Sequence, residues 1–71
     1  VTPNGAAIRD FREARGLGLR QLADLIGIHP SHLSRIESGQ RGAGDRTIRR
    51  IAEELNVQIE SITREKPRDQ E

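Results

Sequence analysis

The chain has 71 residues, no cysteine, one aromatic residue (Phe11) and a formal net charge of +1. That length supports one small domain, and the missing cysteines exclude a disulfide framework and a thiolate metal site. No apolar run approaches membrane-spanning length and no secretory signal is visible, so the expected setting is cytoplasmic, with a core built from Leu, Ile, Val and Ala.

Residues 1–4 read as a flexible lead-in. A first helix is expected from about Gly5 to Arg15, with Ile8 and Phe11 at apolar spacing. Gly16 and Gly18 end it, and Leu17 between them is placed to anchor the connection. A second helix covers Leu19 to Ile26, and Gly27 stops it. Pro30 fits the first turn of a third helix that runs to Ser38 and ends at Gly39. Gln40 to Gly44 carry no apolar period and read as a loop. A fourth helix starts near Asp45 or Arg46, repeats Ile48, Ile51, Ala52 and Leu55, and closes at Asn56. A short fifth helix is expected from Gln58 to about Arg64, offering Ile59 and Ile62 to the core. The charged remainder, 65–71, contains Pro67 and reads as a disordered tail, so the ordered domain spans 5–64. No segment alternates like a strand, and the expected class is all-α.

Charge is unevenly spread. Residues 1–28 carry +1, residues 29–50 carry +3, and residues 51–71 carry −3. Eleven of the twelve basic residues are arginine, a side chain suited to bidentate phosphate and guanine contacts. A positive middle and a negative tail suit a chain that offers one side to a polyanion.

The stretch from Leu19 to Gly39, LRQLADLIGIHPSHLSRIESG, holds two short apolar faces either side of a tight turn. Its Leu-Ala-x-x-x-Gly-x-x-x-x-x-Leu-Ser-x-Ile-Glu-x-Gly pattern resembles the helix-turn-helix of the phage-repressor/Cro-like (XRE-type) family of prokaryotic DNA-binding transcription regulators. Arg-Glu-x-Arg-Gly-Leu at Arg12 to Leu17 and Thr-Ile-x-x-Ile-Ala-x-x-Leu-Asn-Val at Thr47 to Val57 match the same family at its spacing. The resemblance covers Gly5 to Thr63 without gaps. It implies a five-helix, lambda-repressor-like domain whose third helix enters the DNA major groove. Two helix starts depart from the family pattern. Gly18 and Leu19 stand where Ser or Thr and then Gln are usual, and Ala43-Gly44 stands where Pro-Ser is usual.

The family's base-reading positions fall on Pro30, Ser31, His32, Ser34 and Arg35. On a helical wheel, Ser31, Arg35 and Ser38 lie opposite Leu33, with His32 and Ser34 flanking that outward stripe. Arg35 can grip guanine O6 and N7 with two donors, whereas Ser and His read less exclusively and Pro30 offers only van der Waals contact. Phosphate contacts are expected from Gln40, Arg41 and Arg46, with Arg20 as a further candidate. Glu37 falls on the buried side of the third helix, where a carboxylate needs a partner. Relatives pair an arginine at the place of Arg12 with the matching glutamate, so an Arg12–Glu37 ion pair is expected, with Arg15 as the competitor.

His29 and His32 lie three apart, but two histidines without a nearby thiolate or suitable carboxylate make a poor metal site. Neither a catalytic constellation nor a cofactor motif is visible, so no metal, cofactor or enzymatic role is expected. The resemblance implies a repressor that binds pseudo-palindromic double-stranded operators as a homodimer. The rival is a protein-interaction module of the same fold, an antitoxin or adaptor, contacting its partner through Leu25, Val57, Ile59 and Ile62.

Overall fold

A computed structural model describes residues 2–64. Its order is β1 (Thr2–Pro3), α1 (Gly5–Ala14), α2 (Leu19–Ile26), α3 (Pro30–Glu37), α4 (Asp45–Leu55), a 3-10 turn (Ile59–Ile62) and β2 (Thr63–Arg64). The tail expected to be disordered, 65–71, lies outside the described residues, as does Val1.

The apolar repeats close one core. Ile8 of α1, Leu22, Ala23 and Ile26 of α2, Leu33 and Ile36 of α3, and Ile48, Ile51, Ala52 and Leu55 of α4 are buried, with Ile62 beneath them. Phe11, Leu17, Leu19, Ile28, Val57 and Ile59 pack around this centre half-buried. Each large aliphatic side chain gains roughly 1.5–3 kcal/mol on full burial, which must offset the ordering of the short helices that carry it.

Two expectations need correction. The described residues form four α-helices, not five: the last apolar pair sits on the 3-10 turn Ile59–Ile62. A three-residue spacing between Ile59 and Ile62 suits a 3-10 turn as well as an α-helix, and Thr63 beyond it is already extended. The reason the chain extends there is also the second correction. Thr2–Pro3 is not a loose lead-in but pairs antiparallel with Thr63–Arg64, with Pro3 opposite Thr63. Asn4 then turns the chain into α1. Its N–H donates to the Ile62 carbonyl at 2.8 Å, and its Oδ1 accepts from the Ala7 N–H at 3.2 Å.

All four helices end on a residue with left-handed backbone: Gly16, Gly27, Gly39 and Asn56. In each case the next N–H reaches back to a carbonyl in the last turn: Leu17 to Arg12, Ile28 to Ala23, Gln40 to Arg35, and Val57 to Ala52, at 2.9–3.0 Å. At Gly27, with φ of 78°, this reversal produces the tight turn between α2 and α3.

Two contacts fasten α1 to α3. Gly5 opens α1 so close to α3 that a Cβ there would collide with the Ile36 and Glu37 carbonyl oxygens. At the other end of α1, Arg12 meets Glu37. Arg12 Nε donates to Glu37 Oε2 at 2.7 Å and Nη2 to Oε1 at 3.1 Å. Its Nη1 donates to the Leu17 carbonyl at 2.8 Å. The two side chains are only 10% and 7% exposed, so this is a desolvated, bidentate pair rather than a surface contact. Hydrogen bonding to Glu37 raises the Arg12 pKa above its ordinary value, against the pull of burial. A cation raised in this way contributes stability below its unfolded pKa and loses it only as pH climbs through the folded value. Arg12 therefore stays charged across the whole pH range in which a protein survives.

Truncating either member strands the other charge in the core. Arg12→Ala and Glu37→Ala should each cost about 3–5 kcal/mol in urea unfolding. The double variant should lose far less than the sum, and additive losses would show that the two side chains are not coupled. Gly5→Ala should cost about 1–3 kcal/mol by overpacking against a backbone that has no rotamer with which to yield. Gly18→Ala, where nothing lies within 4 Å, should shift stability by less than about 0.5 kcal/mol.

Candidate nucleic-acid interface

The third helix is eight residues long, too short to hold its shape alone in water. It is fixed from behind by Leu33 and Ile36, from its last turn by Glu37 on Arg12, and at its start by His29. The His29 Nδ1 accepts the Ser31 N–H at 3.1 Å and lies 2.8 Å from the Ser31 Oγ. Histidine thus takes the capping role usual for Ser, Thr, Asp or Asn, while Pro30 gives up an N–H that the first turn could not have used.

The outward surface of α3 is polar. Ser31, Ser34 and Arg35 are exposed, and Pro30 and His32 are half-buried beside them. Ser31 and Arg35 lie one turn apart on the same stripe. Around this face, Arg20 on α2, Gln40 and Arg41 beyond α3, and Arg46 on α4 are all exposed. Among the described residues, Arg20, Arg35, Arg41 and Arg46 have no ion-pair partner. The one carboxylate on α3 is already neutralised inside the fold by Arg12. The exposed face of the helix therefore carries Arg35 as its sole formal charge.

The two unusual helix starts behave differently. Gly18 makes no side-chain cap for α2, although its N–H donates to Gln21 Oε1 at 3.3 Å. No acidic residue occupies the first turn of α2, which leaves its free N–H groups and Arg20 open to an anion. Gly44 likewise gives α4 no side-chain cap, but Asp45 already complements the helix dipole there. Of the two, α2 has the first turn without a negative charge.

Two residues act in ways that sequence reasoning missed. The sequence offers no motif that assigns Arg50 a partner, yet its Nη1 donates to the Ile26 carbonyl at 3.1 Å. It thereby closes the C-terminal end of α2 just before the turn. No motif signals this, because the acceptor is a backbone atom. The capping role of His29 was equally hidden, since histidine is an uncommon cap. Its position immediately before Pro30 was the available signal. Leu25 is 51% exposed and is the sole large apolar side chain left open among the described residues.

Comparison with known proteins places this geometry. A family model described as helix-turn-helix matches residues 8–62. An uncharacterized HTH-type transcriptional regulator of Bacillus subtilis, RghRB, is 38% identical over 63 residues, covering 87% of this chain. The chain spans 45% of the length of that relative. Among solved structures, the restriction-modification controller protein C.AhdI from Aeromonas hydrophila is similar at 32% identity with a TM-score of 0.76, covering 80% of this chain and 86% of its own. The biofilm regulator SinR of Bacillus subtilis, solved in complex with DNA, is similar at 26% identity with a TM-score of 0.74, covering 79% of this chain and 90% of its own.

The cap makes the order of α3 testable. His29→Ala should lower stability by about 0.5–2 kcal/mol in thermal or urea unfolding, whereas His29→Asn, which keeps a side-chain acceptor, should recover most of the loss. Equal losses for both variants would show that the imidazole contributes packing and not a cap.

Proposed function

Because the chain belongs to the phage-repressor/Cro-like (XRE-type) helix-turn-helix family, we propose that it reads double-stranded DNA as a transcription regulator with α3 in the major groove. The observation that carries this reading is the exposed polar face of α3, whose one charge is Arg35, flanked by the cations Arg20, Arg41 and Arg46, which have no ion-pair partner among the described residues. Family members of this kind are regulators and not enzymes.

Within this reading, Pro30, Ser31, His32, Ser34 and Arg35 meet base edges. Arg20, Gln40, Arg41 and Arg46 meet phosphates on either side, and so set the position of the helix without reading sequence. The domain acts as a homodimer on a pseudo-palindromic operator in the cytoplasm, with half-sites about one helical turn apart. Repression follows when the bound dimer occludes polymerase.

Binding should weaken steeply with salt. The slope of log K against log salt should be near −0.9 per phosphate neutralised, for roughly three to five phosphates per subunit. Arg41→Ala should flatten that slope by about one unit and weaken all sequences alike. Arg35→Ala should instead cost about 1–3 kcal/mol at the operator and relax preference mainly at one G·C pair. Measurements on a single-base-pair variant library at fixed salt separate the two. If Arg35→Ala weakens every variant equally, Arg35 is a phosphate clamp. A slope of zero would overturn DNA as the partner and favour a protein-contact module, for which exposed Leu25 is the natural starting point.

A further inference from the structure

We propose that His29 fixes the Ser31 hydroxyl as a pure hydrogen-bond acceptor, so that Ser31 reads an exocyclic amino group, adenine N6 or cytosine N4, in the major groove. The inference rests on the DNA-reading role proposed above for α3 and goes beyond it by assigning a direction to one contact.

The direction follows from proton accounting. The Ser31 backbone N–H lies 3.1 Å from His29 Nδ1, and an amide N–H can only donate. Nδ1 is therefore an acceptor without a proton, and the neutral ring carries its proton on Nε2. The Ser31 Oγ lies 2.8 Å from that same Nδ1. Two lone pairs facing each other at this distance would repel, so the hydroxyl proton points at Nδ1. A serine hydroxyl has one proton to give, and here it is committed inside the protein. What Ser31 presents at its exposed surface is oxygen lone pairs alone.

In the major groove, lone pairs are matched by the adenine N6 and cytosine N4 amino groups. They are opposed by guanine O6 and N7 and by thymine O4, which are themselves acceptors. The neighbouring serines show that this constraint is local. Ser38 donates its hydroxyl to the Arg35 carbonyl at 3.2 Å, while Ser34 has no side-chain hydrogen bond among the described residues and can turn its proton either way. One turn along from Ser31, Arg35 has donors only. The exposed stripe of α3 thus pairs an acceptor at Ser31 with donors at Arg35, and each half-site should answer with an amino base facing the first and guanine facing the second.

The test uses the full chain and an operator selected from a random DNA pool. The base pair whose preference Ser31→Ala relaxes is located first. At that position the amino group is then deleted, with purine replacing adenine or pyrimidin-2-one replacing cytosine. In separate duplexes the purine N7 acceptor of the pair is deleted by a 7-deaza base. Loss of the amino group should weaken the wild-type protein about three- to tenfold relative to its effect on Ser31→Ala, and the 7-deaza base should affect both proteins alike. His29→Ala, which frees the hydroxyl proton, should shrink the amino-deletion effect toward that of Ser31→Ala. Nitrogen NMR of the imidazole in the DNA-free protein should show Nδ1 unprotonated and Nε2 protonated. A protonated Nδ1 in the neutral ring, or a Ser31-dependent penalty for the 7-deaza base instead of the amino deletion, would overturn the inference. An enriched operator indifferent to Ser31→Ala would overturn this inference while leaving the DNA-reading function standing. A pool with no enriched sequence would overturn both.

Discussion

The buried pair between Arg12 and Glu37 is the constraint on which the rest of this small fold depends. Most of its core is aliphatic, and although apolar stripes choose which face of each helix is buried, the contacts themselves are non-directional. A guanidinium is not, because its donors lie in one plane at fixed angles. Arg12 spends those donors on both oxygens of Glu37 and on the Leu17 carbonyl, and so ties together α1, the connection into α2, and the last turn of α3. Gly5 lets the other end of α1 lie directly on the α3 backbone. Between them, these contacts fix how α3 is seated on α1, while buried Leu33 and Ile36 set which of its side chains face outward.

This matters because α3 cannot order itself. Its eight residues depend on packing behind and on caps at both ends, and the cap at its start is unusual. His29 holds the start, and Arg50 reaches from α4 to the end of α2, steadying the turn from the opposite side. Under the proposed DNA-reading role, a surface built this way would arrive at its ligand with its side chains already placed, leaving little ordering cost to be met on binding.

Much of this architecture was legible because helices of 3.6-residue period leave apolar repeats and because Gly27, Pro30 and Asn56 punctuate them. The separation of Ser31, Arg35 and Ser38 from Leu33 follows from the same period, and Ser31 and Arg35 are exposed in the fold while Leu33 is buried. What stayed hidden shares one physical trait: the partner is backbone. The strands of Thr2–Pro3 and Thr63–Arg64 are too short to alternate, and their attraction is between amides. Arg50 serves the Ile26 carbonyl, and Gly5 is required by carbonyl oxygens of α3. Side-chain patterns cannot announce contacts of that sort. The four-residue turn at Ile59–Ile62 was ambiguous for a different reason, since two isoleucines three apart satisfy either helical pitch.

The four helix endings share a backbone geometry but differ in the residue that comes next. After Gly16, Gly27 and Asn56 come Leu17, Ile28 and Val57, each packed against the core. After Gly39 comes Gln40, which is polar and exposed, and then exposed Arg41 and Gly42. Three of the four reversals are therefore packed against the interior, while the one after α3 is held by backbone alone, through the Gln40 and Arg41 N–H groups on the Arg35 carbonyl. Stiffness is thereby divided along the chain. Under the DNA-reading function proposed above, α3 would be the clamped element, and Arg41 would lie on an exposed stretch free to adjust to a phosphate whose distance changes with groove width. Such compliance would let one rigid reading head settle on duplexes of unequal shape without being levered out of register.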